Sequence, residues 1–436
     1  MNVVRAGRPF RVTLEGKETK NGEKRALVIH PFLFRLAEGV TATSSPASDG
    51  SASGTPMDAV KIDWEHTEAH FTTDVRTELG ALATAGETVP RLMETWLRVA
   101  LDAASERELE RAVVENRRDG AATVARLAVQ ALAACVARQA DPAPFMRGAD
   151  YVCALAYHYV VARPSMHCVK AAVATCVAEA AGAPDMPWAA LVRRVQQTAA
   201  AVAARIDEAG AVAGARWLAG VPEGGAVLTL SASSTLRDCL ASAAAQLKAL
   251  RLFVCESRAA GEGAALAAAL AAHAGNKHDI TVIPDCAALP LLLTLCTSGT
   301  ACHVVLGADA AYGDGSFTNK VGSHSLLLAA REAAALTAPD LVRVAVLFDR
   351  FKLSPASSCL CTPFVSEVDV APQHAPSALV GVWNPTFEAV PASAFPRLEH
   401  YTDLPADAHG ITPVDVLARF GREIGSYVDS ITDISD

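Results

Sequence analysis

What is scarce in this sequence narrows it before any motif is read. No apolar run of membrane length is free of charges or turn formers, so no membrane partner is expected. The opening Met1-Asn2-Val3-Val4-Arg5 has no continuous apolar stretch of the signal-peptide kind, and a soluble, untargeted chain of the cytosol is expected. Basic residues are in the minority: 38 Lys and Arg stand against 47 Asp and Glu, a net charge of −9. That balance argues against direct nucleic-acid binding and leaves proteins or small molecules as partners. No GxxxxGK loop and no HExxH pair occurs, and Gly261-Glu262-Gly263 lacks the third glycine and the strand-to-helix position of a dinucleotide site. No cofactor and no metal is therefore expected. The eleven cysteines are odd in number and scattered in apolar runs such as Leu252-Phe253-Val254-Cys255, and Cys359/Cys361 has no second pair at zinc-finger spacing. They read as reduced thiols.

What is present is an alanine-rich chain of 436 residues, 51% hydrophobic and 19% charged, enough for two or three domains with a substantial core. Residues 1–25 are polar, with an alternating piece at Phe10–Leu14 that reads as an edge strand or as nothing stable. Residues 26–214 read as a helical domain interrupted by a flexible Ser/Gly/Ala/Pro loop at about 41–56. From Glu87 to Gly214 apolar residues such as Leu92, Trp96 and Val99 recur at helical spacing, and prolines at 142, 144, 164 and 184 divide four to six helices. From residue 215 to 436 the period changes. Short β-branched runs at Ala226–Leu230, Leu252–Glu256, Ile280–Ile283, His303–Leu306 and Val342–Phe348 alternate with helical runs at about 235–249, 262–274, 286–297 and 323–336. Strands joined by helical crossovers mean a doubly wound parallel sheet. The expected fold class is α/β: an N-terminal helical domain followed by a Rossmann-like sheet domain.

Ligands of open parallel sheets bind beyond the carboxyl ends of the strands. The residues there are Ser231, Ser233, Ser234 and Thr235 after the first strand, Ser257 and Arg258 after the second, Asp285 after the third and Asp309 after the fourth. Asn319 and Lys320 follow in the string Gly307-Ala308-Asp309 … Asp314-Gly315 … Asn319-Lys320-Val321-Gly322-Ser323. Serines that start a helix, with Arg258 and Lys320 nearby, suit a phosphate. The same residues also serve as ordinary helix caps and turns in any αβ unit.

That string resembles the signature shared by the alpha, beta and delta subunits of initiation factor 2B and by methylthioribose-1-phosphate isomerase: GAD, a turn with NG or DG, then NKxGT. Val254-Cys255-Glu256-Ser257-Arg258 is similar to the family's "vxESRP" strand end and Phe348–Lys352 to its "ESFKF" segment. The resemblance spans about residues 215–395. It implies a Rossmann-like domain behind a helical one and, in the isomerase branch, an acid/base pair of a cysteine after the first strand and the aspartate of GAD. Asp309 matches that aspartate, but the cysteine position falls on Ser231, whose hydroxyl is far too weak an acid to replace a thiol without an adjacent base. A non-catalytic role is therefore implied, with Ser231, Ser233, Ser234, Arg258, Asp309, Asn319 and Lys320 as a vestigial sugar-phosphate pocket.

Three segments resemble the delta subunit: Val28-Ile29-His30-Pro31-Phe32-Leu33, Ala162-Arg163-Pro164-Ser165-Met166 and Phe364-Val365-Ser366-Glu367. Phe351-Lys352-Leu353-Ser354-Pro355 is closer to the beta subunit. The resemblance implies a delta-like regulatory subunit of the complex that returns initiation factor 2 from its GDP to its GTP form. Its partners would be the sister alpha, beta, gamma and epsilon subunits and initiation factor 2, above all its phosphorylated alpha subunit. The beta subunit and a sugar-phosphate isomerase are the alternatives. Arg117-Arg118 and Arg193-Arg194 are where a phosphate-reading surface is sought, although such pairs on helices usually form a solvated face.

Overall fold

The computed structural model describes residues 103–432, apart from 117–118, 140, 143–146, 164–165, 183–185, 247–249, 259–260, 275–278 and 360–384, together with four N-terminal strands. These strands are β1 (Asn2–Ala6), β2 (Phe10–Glu18), β3 (Lys24–Ile29) and β4 (Phe32–Arg35), pairing antiparallel as β1 with β4 and β2 with β3. Residues 26–29 and 32–35, placed in the helical domain by the sequence, are thus strand. Their Leu27-Val28-Ile29 run carries no helical period, and Pro31 separates the two strands. The loop at 41–56 and the helical pattern at Leu92–Val99 lie outside the described residues, as do Arg117-Arg118 and Phe364–Glu367.

A helical bundle follows: α1 (Ala103–Leu109), continued by a π-turn at Glu110–Val114, then α2 (Ala121–Arg138), α3 (Gly148–Ala162), α4 (His167–Ala180) and α5 (Trp188–Leu218). By length and composition α2 could cross a membrane, but its Val124, Ala128, Val129, Leu132 and Val136 are buried where it packs on α4 and α5. It serves here as the core helix of the bundle. Helix α5 runs unbroken through positions 214 and 215.

Beyond α5 the chain builds β5 (Ala226–Thr229), α6 (Ser234–Gln246), β6 (Arg251–Cys255), α7 (Glu262–Ala274), β7 (Asp279–Ile283), α8 (Ala288–Thr297) and β8 (Cys302–Gly307). A short antiparallel sheet comes next, β9 (Ala310–Ala311) with β10 (Phe317–Lys320), then α9 (Ser323–Leu336) and β11 (Val342–Leu347). Strand β12 (Phe387–Val390) pairs with β10, β13 (Leu398–Tyr401) joins the main sheet, and α10 (Val414–Thr432) ends the fold. The main sheet is parallel with order β13-β11-β8-β5-β6-β7, so the winding reverses between β5 and β8. All five strands expected from the sequence are present, and β13 is a sixth.

Residues alternate along each strand between two cores. Leu228, Val304 and Val344 join a core continuous with the helical bundle, whereas Val227, Val305 and Ala345 pack with Trp217, Leu236, Leu240 and Leu266 beneath α5, α6 and α7. Central strands buried on both faces are what a doubly covered parallel sheet requires. Helix α10 returns to pack on α3 and α4, tying the last element to the first half.

Candidate functional site

A cleft of about 440 Å³ opens at the carboxyl edge of the sheet, at the reversal between β5 and β8. Its size falls in the range of roughly 300–1,000 Å³ usual for small-molecule sites. Ser231–Ser234 after β5 and Ala308-Asp309 after β8 line one side, Asn319 and Lys320 of β10 with Thr386 and Phe387 another. The helical half supplies the facing wall, with Asn116 and Asp119 before α2 and Arg163 and Met166 between α3 and α4. Arg163 Nη1 donates to the Asn116 carbonyl (2.8 Å) and Asn116 Nδ2 to Asp119 (2.9 Å), which steadies that wall.

The serine turn is backbone-specific. Ser231 has φ +72° and Ser257 φ +55°, left-handed conformations that side chains seldom adopt. The two turns hold each other: the Ser231 N–H donates to Ser257 Oγ at 2.7 Å, while the amides of Ser257 and Arg258 both donate to the Asp285 carboxylate at 2.8 Å. Ser233 reaches the cleft because residue 307 is glycine; a Cβ there would lie 2.7 Å from Ser233 Cβ. Its Oγ is buried and has no hydrogen-bond partner.

Asn319 and Lys320 are buried at 3% and 8% exposure, fixed by the β10–β12 pairing. Asn319 Nδ2 donates to Ser323 Oγ (2.9 Å), which in turn donates to the Lys320 carbonyl (2.7 Å). Ser323 does not cap α9. Gly322, with φ +102°, occupies that position, and Ser323 is the first helical residue, its hydroxyl spent on the β10 strand end. Lys320 Nζ lies 4.7 Å over the Phe387 ring and 3.0 Å from Glu262 Oε1. The other oxygen of Glu262 accepts from Ser231 Oγ at 3.0 Å.

Asp309 sits on the cleft floor, its amide donating to the Thr318 carbonyl (2.8 Å). Desolvation pushes its carboxyl above the usual range; Lys352 and Lys320 oppose that shift and Glu262 adds to it. Lys352, just after β11 and 3% exposed, lines the same floor beside buried Asp349, which burial likewise pushes up. Cys168 of α4 feels the same charges; burial raises its thiol to about 12, and its Sγ donates to the Ala121 carbonyl at 3.2 Å. It is a packing residue rather than a reactive one.

Of the residues singled out in the sequence, Ser231, Ser233, Ser234, Asp309, Asn319 and Lys320 converge on this cleft. Arg258 does not. Asp285 captures the Ser257 and Arg258 amides and turns the chain away, leaving the guanidinium 84% exposed and 3.8 Å from Glu256. Glu262, Lys352, Asp119 and Arg163 were not foreseen. Lys352 could have been, by applying the strand-end rule to β11. Arg193 and Arg194 are exposed, and Arg194 donates to the Glu179 carbonyl, a solvated face.

A family model described as the initiation factor 2 subunit family matches residues 117–395, which includes every cleft residue but Asn116. A methylthioribose-1-phosphate isomerase of Gemmatimonas aurantiaca is 29% identical over 193 residues, 41% of this chain and 50% of that protein. The chain thus spans about half the length of the curated relative it matches. The Pyrococcus horikoshii translation initiation factor eIF-2B structure superposes with TM-score 0.54 at 20% identity, covering 69% of this chain and 96% of that one. The eIF2B beta structure of Chaetomium thermophilum gives TM-score 0.53 at 15% identity, covering 78% and 96%. At these identities the likeness is one of fold.

Proposed function

The chain belongs to the initiation factor 2 subunit family, and from there we propose that it is a non-catalytic, delta-like regulatory subunit of the initiation factor 2B exchange complex. The observation that carries this reading is the state of Ser231. It stands where the isomerase branch places its cysteine, and its hydroxyl already donates to Glu262. That carboxylate is also the ion-pair partner of Lys320, so it is committed to a cation rather than to taking a proton. In this role the chain assembles in the cytosol with sister subunits. It contributes to sensing the phosphorylated alpha subunit of initiation factor 2, since a regulator acts only through its difference in affinity for two states.

The test is a tagged pull-down from native cytosol at moderate salt, with co-purifying chains identified by mass spectrometry. Sister alpha, beta, gamma and epsilon subunits in comparable amounts are expected. Recovery of a lone homo-oligomer overturns the reading. One observation favours a sugar-phosphate isomerase instead: Asp309, Asn319 and Lys320 share one cleft, with the Asp309 carboxyl raised toward the range useful for acid/base work. Turnover of methylthioribose 1-phosphate, abolished by Asp309→Asn, would establish that alternative.

A further inference from the structure

We propose that Glu262 is a built-in anion that occupies the cationic end of the cleft, so that a small phosphorylated ligand binds there only by displacing it. Three observations carry this. The two oxygens of Glu262 take the two donors that an incoming phosphate would use, Lys320 Nζ and Ser231 Oγ, each at 3.0 Å. Lys320 is the fixed member of the pair: its side chain is 10% exposed and stacked on Phe387, while that of Glu262, in the first turn of α7, is 31% exposed. The third observation is independent of the ion pair. Ser233 Oγ, buried in the same cleft, has no partner, and the start of α6 at Ser234 lies beside it.

A phosphate placed on Lys320 could therefore also take the Ser231 and Ser233 hydroxyls and the first amides of α6, a donor set that suits a dianion better than a carboxylate. The internal carboxylate makes the site selective. A ligand must supply enough charge and enough donors' worth of acceptor oxygens to replace Glu262, and its apparent affinity is reduced by the fraction of molecules in which Glu262 has swung away. The inference concerns the cleft alone and does not depend on whether the chain assembles with sister subunits.

The experiment is calorimetric titration of the full chain with inorganic phosphate and, separately, ribose 5-phosphate, for the native protein and for Glu262→Gln. The amide keeps an acceptor for Ser231 and removes the competing charge. Binding about tenfold tighter is expected, the effect of one charged hydrogen bond. Adding Lys320→Met to Glu262→Gln should return affinity to the native value. A gain below about threefold, or one that survives Lys320→Met, overturns the proposal. Glu262→Ala is the second variant, read against the same thresholds if the first does not fold. Co-purification of sister subunits with Glu262→Gln separates this question from the regulatory reading, because assembly should be unchanged whichever way the titration falls.

Discussion

The two ends of the parallel sheet handle the same chemistry in opposite ways. At the amino end, Arg343 of β11 gives Nε and Nη2 to the Glu399 carboxylate (3.2 and 2.8 Å), Nη1 to the Gly220 carbonyl (2.9 Å) and Nη2 to Tyr401 (3.2 Å). Tyr401 closes the ring by donating to Glu399 at 3.0 Å. Every member has its partners, and the network staples the turn after α5 to β11 and β13. At the carboxyl end, Ser233 Oγ and Asp349 Oδ2 are buried without partners, two lysines and three carboxylates crowd together, and two serines are held left-handed. Saturated networks add stability, whereas buried groups left wanting, together with strain, mark a site kept ready for something else.

Breaking the saturated end should have the largest effect. Arg343→Ala strands Glu399 and Tyr401 and is expected to lower unfolding stability by about 3 kcal/mol, read by denaturant titration, with cleft binding unchanged. If the loss is under about 1 kcal/mol, the network is decorative and the contrast between the two ends fails. His303 sharpens the same end. Burial first and Arg343 second hold its imidazole at about 4 against 6.5 in the free residue. Between those values the unfolded chain takes a proton that the native protein refuses. Its contribution is therefore complete above pH 6.5 and is lost as pH falls toward 4, by roughly 3 kcal/mol. His303→Gln should flatten that acid limb of the stability profile. A limb that persists unaltered assigns the acid sensitivity to other groups.

The contrast also explains what the sequence made legible. Strands β5, β6, β8 and β11 are apolar runs because they are covered on both faces, so their positions follow from composition and spacing, whereas the order of the sheet is read from the structure. Strand β13 reads Leu-Glu-His-Tyr, and its residues belong to strand and saturated network at once: Glu399 and Tyr401 face Arg343, and His400 bonds the Gly315 carbonyl (2.9 Å). Polar partners hide a strand from any hydrophobic pattern. In the cleft, the residues found by rule are those fixed by their place after a strand. Glu262 escaped because a carboxylate in the first turn of a helix looks like ordinary dipole pairing. Asp119 and Arg163 escaped because they come from the bundle, and no local pattern states which loop of one half will face the other. Arg258 was misplaced because Asp285, from the turn after β7, holds its amide and that of Ser257, a pairing that no pattern local to residue 258 states.

At the carboxyl end the expected effects are smaller and, for Asp309, of the opposite sign. Asp309→Asn removes a carboxylate that its surroundings disfavour in charged form, so the variant should be unchanged or more stable by about 1 kcal/mol at pH 7. Chemical unfolding at pH 7 and pH 5 tests this, and the difference between variant and native protein should shrink at the lower pH as the native carboxyl protonates. A clear loss at both pH values would make Asp309 structural and join it to the other end of the sheet.

The finest division lies within the serine turn. Ser231→Gly relieves the cost of a left-handed side chain, roughly 1 kcal/mol, but gives up the hydrogen bond to Glu262 and adds freedom to the unfolded chain. These terms nearly cancel, so a change within about 0.5 kcal/mol is expected. Ser257→Gly relieves the same kind of strain yet removes the acceptor of the Ser231 amide, a buried donor with that side chain as its partner. It should cost about 1 kcal/mol more than Ser231→Gly. Measured side by side, equal losses would mean that backbone strain dominates both turns. The expected inequality instead makes Ser257 the support and Ser231 the residue held in place by it, with its hydroxyl presented to the cleft.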